Sequence, residues 1–258
     1  MTALVTGAGS RLGRAMALAL ADHGHDVVVH YASSAEGAEE TAALIRAKGR
    51  RAATLQADLL DEDATHALIG RAVDALGGPL TVLVNNASIF EHDDIHSATR
   101  ESWDRHIGSN LRAPFVLTQG FAAQVPDPVT DEGGEPVAQG LVVNMLDQRV
   151  HKLTPEFMTY TLAKMGLWTL TRTAAQGLAP RVRVNGIGPG PTLKGGRQSE
   201  EHFRRQRAAT ILERGADPDD ICAALVYLLT AKAVTGQMIA VDGGQHLAWQ
   251  TPDVLGLE

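Results

Sequence analysis

The 258-residue sequence holds a single cysteine, Cys222, so no internal disulfide can form. Its place in the apolar helical run ICAALVYLL suits a small buried residue in a reducing compartment. Aromatic residues make up only 4% of the chain, so the core must be packed through Ala, Leu and Val. No block of Lys or Arg occurs and the formal net charge is −7, which argues against a nucleic-acid or acidic-membrane partner and leaves only a small anion to be held. No apolar stretch approaches the ~20 residues of a membrane span. A strand-like run begins almost directly after Met1, where a secretory signal would lie, so the expected location is the cytoplasm.

What is present is a rhythm. Short apolar, β-branched runs (ALVT, DVVVHY, AATLQA, TVLVNN, GLVVNM, VRVNGI, MIAVDGG) read as seven strands. Between them apolar residues recur at i, i+3 and i+4, as in Leu12 to His23, Ala38 to Lys48, Thr65 to Leu76 and Ile221 to Leu229. Strands alternating with helices imply right-handed crossovers and one doubly wound, Rossmann-type parallel sheet covered on both faces. Residues 1–258 are expected to form one α/β domain, with a Gly-rich cofactor half over roughly 1–135 and a catalytic and substrate half over roughly 136–258. The stretch from Pro126 to Gly140, rich in Pro, Gly and acids, reads as a solvated surface loop.

The first strand runs into Thr6-Gly7-Ala8-Gly9-Ser10-Arg11-Leu12-Gly13 and then a helix. In that order glycine permits a tight turn and close approach of a ligand to the backbone, while free N–H groups at the helix start favour a pyrophosphate. Arg11 stands where many such loops carry another Gly, and its guanidinium is a second anion contact, to the pyrophosphate or to a substrate over it. The second strand ends in His30-Tyr31-Ala32-Ser33-Ser34, with no acid placed to hold a ribose diol. An acid there would repel a 2′-phosphate, whereas Ser33 and Ser34 can donate to one, so NADP(H) is the expected cofactor. Asp58, ahead of Leu59 after the third strand, reads either as an acceptor for the adenine amino group or as an exposed helix cap.

Tyr160 and Lys164 lie four apart in MTYTLAKMGLWTL, so a helix there projects both from one face. A nearby ammonium is expected to lower the phenol pKa and make Tyr160 a usable general acid or base. The motifs TGAGSRLG, NNAS, GSN, YTLAK, VRVNGIGPG and VTGQMIAVDGG resemble, in order and spacing, those of the short-chain dehydrogenase/reductase family over nearly the whole chain. The resemblance implies Tyr160 as proton donor, Lys164 as ribose contact and Asn110 as holder of a water relay. It also implies a cofactor surface of Gly7, Ser10, Arg11, Leu12, Gly13, His30, Tyr31, Ser33, Ser34, Asp58, Leu59, Asn86, Ala87, Ser88, Met145, Lys164, Pro189 and Gly190. A homotetramer is implied as well.

One departure matters. Where the family usually places a Ser that donates to a substrate carbonyl, this sequence has Asp147, and no Ser lies between Val142 and Tyr160. An ionised carboxylate only accepts hydrogen bonds, so ordinary ketone reduction is put in doubt. Reduction of a C=N bond instead needs a proton brought to nitrogen, and an acid coupled to Tyr160 suits a donor-rich heterocycle. The pteridine reductase branch resembles this chain at SRLG, at Ser88 and Phe90, at Asn144-Met145 with Asp147, and at VNGIGPG. By that resemblance a pterin-like substrate would stack on Phe90 and bond Arg11, Ser88, Asp147 and Tyr160. Phe90 as a plain half-buried loop anchor is the alternative. A carbonyl or 3-oxoacyl reductase that tolerates Asp147, and a non-catalytic NADP(H)-binding protein, are the competing functions.

Two further signals carry less. Glu91-His92-Asp93-Asp94-Ile95-His96 has the residue types of a metal site but no zinc spacing, and no metal is expected. Leu193 to Leu212 is polar and basic, where the family carries a mobile substrate lid. The C-terminal segment with Trp249 and Leu255 is expected to meet a neighbouring subunit.

Overall fold

A computed structural model describes residues 1–196 and 198–251. Seven strands form one parallel sheet in the order β3-β2-β1-β4-β7-β8-β9: β1 Thr2–Val5, β2 Asp26–Tyr31, β3 Ala52–Gln56, β4 Val82–Asn85, β7 Gly140–Met145, β8 Val182–Pro189 and β9 Met238–Val241. The order reverses between β1 and β4. That reversal opens a crevice at the carboxyl ends of the strands, where ligands bind in such sheets. Strands β1 and β4 are buried along their whole length, as parallel strands covered on both faces must be.

Helices α1 Arg11–Asp22, α2 Ala35–Ala47 and α8 Pro218–Thr230 cover one face, sealed by Met16, Leu20, Ile45 and Leu225. On the other face lie α3 Glu62–Leu76, α5 Ala113–Gln124 and α6 Met158–Leu178, with Leu68, Leu83, Leu117 and Phe121 between them and the sheet. Burying one Leu or Phe this completely contributes about 2 kcal/mol, so these two layers hold the strand ends in place. A buried polar seam crosses the second layer: Asn85 Nδ2 donates to Asn144 Oδ1 at 2.8 Å, and Asn144 Nδ2 donates to Thr171 Oγ1 at 2.9 Å.

Element ends moved by a few residues from the sequence expectation, at α3 and α8 because polar caps lie outside the apolar pattern. Helix α3 starts at Glu62 rather than near Thr65, since Asp61 accepts the Ala64 N–H at 3.0 Å and acids fill its first turn. Pro126 to Gly140 is not wholly a loop. Val129–Thr130 (β5) and Pro136–Val137 (β6) form an antiparallel hairpin closed by Asp131, which takes the N–H groups of Gly133 and Glu135. Helix α4 Arg100–Ile107 runs into a π-helical turn, Gly108–Arg112, ahead of α5, and α7 Glu200–Ala208 stands after β8. Leu255 lies outside the described residues; Trp249 is exposed.

Candidate active site

The Gly-rich turn sits at the mouth of the crevice. Gly7 has φ +64, which favours glycine, and a Cβ on Gly13 would lie 2.2 Å from the Gly7 carbonyl oxygen. The turn is thereby pressed against α1, whose cap residue Ser10 makes no side-chain bond to the first turn. Those N–H groups remain available to an anion. Beneath the turn, Thr6 Oγ1 accepts the N–H groups of Asn86 at 2.8 Å and Ala87 at 2.9 Å, and Asn86 Nδ2 returns to the Thr6 carbonyl at 2.8 Å. Loop and β4 end are one stitched unit.

His30 is placed differently from a surface contact. Its ring is buried, with Nδ1 accepting the Gly7 N–H at 3.1 Å and Nε2 against the Ala57 carbonyl at 3.1 Å, so Nε2 carries the proton. Burial pushes its pKa down to about 4, and the bond to Ala57 only partly opposes this. His30 braces the turn from behind. Leu59 is packed in the layer that holds Leu68 and Phe121, while Tyr31 and Leu12 lean on the opposite layer, that of Met16 and Leu20. Asp58 is exposed and accepts the Leu60 N–H at 3.0 Å, leaving the helix cap to Asp61. Ser33 and Ser34 are exposed, and the Ser34 side chain makes no cap bond to α2. Arg14, which sequence reasoning missed, ties Gly9 and Gly37 carbonyls together at 3.0 and 3.1 Å.

Arg11 stands at φ 52 in the left-handed region and reaches across the crevice, donating to the carbonyls of Lys194 at 3.0 Å and Leu193 at 3.1 Å. It tethers the segment after β8 to the Gly-rich turn. Gly190 follows Pro189 at the end of β8, where a Cβ would lie 2.6 Å from Asp242 Cα.

Tyr160 and Lys164 rise from α6 into the same crevice, both buried. The Tyr160 hydroxyl donates to Asp147 Oδ2 at 2.9 Å, while Asp147 Oδ1 accepts the Arg149 N–H at 2.8 Å. Lys164 Nζ donates to the Met145 carbonyl at 2.7 Å and lies 5.6 Å from the centre of the Tyr160 ring. The expected lowering of the phenol is reversed: burial first, and then the Asp147 carboxylate, push Tyr160 well above its ordinary value. The ammonium is turned to a backbone oxygen, whereas the carboxylate touches the hydroxyl itself. Burial also raises Asp147 and draws Lys164 down to about 8. The arrangement keeps the phenol protonated and aimed, as a proton donor must be.

Asn110 lies in the π-helical turn and clamps one residue of the pocket loop, accepting the Ile89 N–H at 2.9 Å and donating to its carbonyl at 2.8 Å. Ser88 beside it is exposed, and its hydroxyl bears on the Tyr160 phenol. Phe90 stands edge-on to Tyr160 with ring centres 4.7 Å apart. One of its faces is taken by Phe157, stacked at 4.3 Å and 10°. Arg149 in turn lies 4.9 Å over the Phe157 ring. Phe157 and Arg149 line the site unannounced in the sequence; the nearest signal was an aromatic directly before the helix that bears Tyr160.

The acidic and histidine run near Phe90 is spent on local bonds. Glu91 pairs with Arg105 at 2.8 Å, His92 with Glu156, Asp93 with Ser102 and Thr159, and Asp94 with Ser97. Among the described residues no group of three His, Cys, Asp or Glu side chains is placed to hold a metal.

A glycine-rich turn at a sheet reversal, with a helix-borne Tyr and Lys across the crevice, defines an oxidoreductase of the dinucleotide type. Residues 7–246 match the family model described as enoyl-(acyl carrier protein) reductase, and the chain belongs to this family of short-chain dehydrogenases/reductases. Among solved structures it is similar to the FolM alternative dihydrofolate reductase 1 of Brucella canis, crystallised with NADP. Identity is 42% and the TM-score 0.89, covering 99% of this chain and 98% of that one. The Brucella suis protein of the same name, also with NADP, gives 43% identity and a TM-score of 0.90 over 98% of both chains. The 3-oxoacyl-[acyl-carrier-protein] reductase FabG of Staphylococcus aureus is 33% identical over 251 residues, 95% of this chain and 98% of its own.

Proposed function

We propose that this chain is an NADPH-dependent reductase that reduces a C=N bond of a pterin-type ring. The carrying observation is the 2.9 Å bond from Tyr160 to Asp147 in place of a Tyr and Ser pair. The similarity to the two FolM proteins supports the same reading.

The residues fit the cofactor. Gly7 at φ +64 shapes the tight turn and Gly13 lets it press on α1, the first turn of α1 has free N–H groups, and Ser33 and Ser34 stand at the β2 end without an acid beside them. Bound NADPH supplies the hydride. Lys164 and the Asn86 to Ser88 stretch would hold its ribose and nicotinamide end, and Pro189 and Gly190 its other flank. Tyr160 then delivers a proton to the ring nitrogen as that atom gains electron density. A phenol with a raised pKa serves here, because the developing nitrogen anion is a far stronger base than water. Asp147 orients the phenol and offers its carboxylate to ring N–H and amino groups. Phe90, half exposed and backed on one face by Phe157, presents its other face to a flat substrate.

The second reading, a 3-oxoacyl reductase, is favoured by the FabG relatives. NADPH oxidation measured in parallel with dihydrobiopterin, dihydromonapterin, dihydrofolate and acetoacetyl-CoA separates the two. Turnover of the thioester without any pterin turnover overturns the proposal.

The same reading includes a homotetramer in the cytoplasm. Helices α4, α5 and α6 leave Trp103, Phe115 and Leu162 in solvent, apolar surface that further copies would cover.

A further inference from the structure

Helix α6 carries Tyr160 yet has no cap of its own. The residue before it, Phe157, sits at φ 58 and ψ 50 and gives no side-chain bond to the first turn. A helix start buried in this way must find acceptors for its N–H groups elsewhere. They come from Asp93, far back in the loop between β4 and α4. Its carbonyl takes the Met158 N–H at 3.2 Å, its Oδ1 takes the Thr159 N–H at 3.1 Å, and its Oδ2 takes the Thr159 hydroxyl. A carboxylate at that end also meets the positive end of the helix dipole. Burial pushes the Asp93 carboxyl up, but hydrogen bonds from Thr159 and Ser102 outweigh it and hold the group below the usual carboxylate range.

A third side chain completes the arrangement. His106 on α4 is fully buried, and its Nε2 accepts the Glu91 N–H at 3.1 Å, so Nδ1 carries the proton and faces Thr159 Oγ1 at 2.7 Å. Thr159 thus receives a proton from His106 and gives its own to Asp93. Every donor has one direction. The loop held in this way is also the one that bears Phe90, whose ring edge meets Tyr160. Thr159 immediately precedes Tyr160, and the His106 and Tyr160 rings are 6.0 Å apart.

We propose that Asp93, Thr159 and His106 are positioning residues, a buried triad that locks the first turn of α6, and with it the Tyr160 hydroxyl, to the loop that carries Phe90. This rests on the reading of Tyr160 as the proton donor. Its chemical basis is that a proton donor displaced by a fraction of an ångström loses most of its effect, while binding of substrate and cofactor at other surfaces does not.

The test compares Thr159→Val, which keeps shape and removes both side-chain bonds, with Thr159→Ser, which keeps them. Steady-state kinetics are run on whichever substrate the parent turns over, and NADPH affinity is read by fluorescence. Thr159→Val is expected to lower kcat about 100-fold with KM and NADPH affinity held, and Thr159→Ser to restore most of it. Parental kcat in Thr159→Val, or equal loss in both variants, overturns the proposal. Should Thr159→Val lose NADPH binding, His106→Gln carries the same expectation, a fall in kcat at unchanged NADPH affinity, and parental kcat in that variant overturns the proposal. Tyr160→Phe is the separate arm: full turnover there sinks the reading of Tyr160, whereas a dead Tyr160→Phe beside an unimpaired Thr159→Val sinks only the triad.

Discussion

Tyr160 and Asp147 share one proton across 2.9 Å at the end of a buried crevice, with the phenol as donor and the carboxylate as acceptor. Burial raises the cost of ionising both groups; the Asp147 carboxylate raises it further for Tyr160, whose hydroxyl in turn donates to the carboxylate and favours its charged form. The pair therefore holds its proton over the whole neutral range.

If that pair delivers the proton, Asp147→Ser lowers kcat/KM for the pterin substrate by about 100-fold. The same substitution raises turnover of a ketone such as acetoacetyl-CoA, because a hydroxyl can donate to the developing alkoxide. Parallel initial rates check both. Equal pterin turnover in parent and variant removes the reason for choosing a C=N substrate.

Burial draws Lys164 down to about 8, so the ammonium is present below that pH and lost above it. NADPH affinity should therefore weaken as pH rises through 8 in the parent and stay flat in Lys164→Met. Fluorescence titrations at pH 7 and pH 9 decide this.

His30 makes the fold acid-sensitive. Its folded pKa of about 4 lies below the ordinary 6.5, so the unfolded chain binds the proton first. Full stability from this group is present above about 6.5 and is lost as pH falls toward 4, by about 3 kcal/mol in all. Urea unfolding of the parent and of His30→Gln at pH 7 and pH 4.5 should show a shallower pH slope in the variant. Equal slopes would count against the brace.

Arg11 holds the segment after β8 through two carbonyls while sitting at φ 52. Arg11→Gly relieves backbone strain of about 1 kcal/mol, so the melting temperature should be kept or raised. Limited proteolysis should nevertheless cut the chain near residues 193–196 faster than in the parent. A lower melting temperature, or unchanged cleavage, would show that the tether is not the main role of Arg11.

Much of this was legible in advance. DVVVHY and GLVVNM match β2 and β7 residue for residue, since continuous β-branched runs bounded by turns leave little room for another reading. Tyr160 and Lys164 were paired by spacing along one helix, and Asp147 was singled out by the family resemblance as standing where a Ser is usual. What could not be read was anything decided by burial. The pattern gave Lys164 as the neighbour that matters to Tyr160, yet the nearer and more costly charge is Asp147. His30 looked like a rim residue because nothing in HYASS reveals that its ring turns inward under Gly7. Phe157 and the Asp93 cap join segments more than sixty residues apart, and no local period encodes such a meeting.

The amide seam from Asn85 through Asn144 to Thr171 has a consequence for precision. A slip of β7 by one residue against β4 would strand two amides in an apolar layer, so intermediate registers are closed to it. Asp147 hangs three residues beyond Asn144, the middle of that seam, and Tyr160 shares its helix with Thr171 at one end. Donor and acceptor are thus gauged from a common datum.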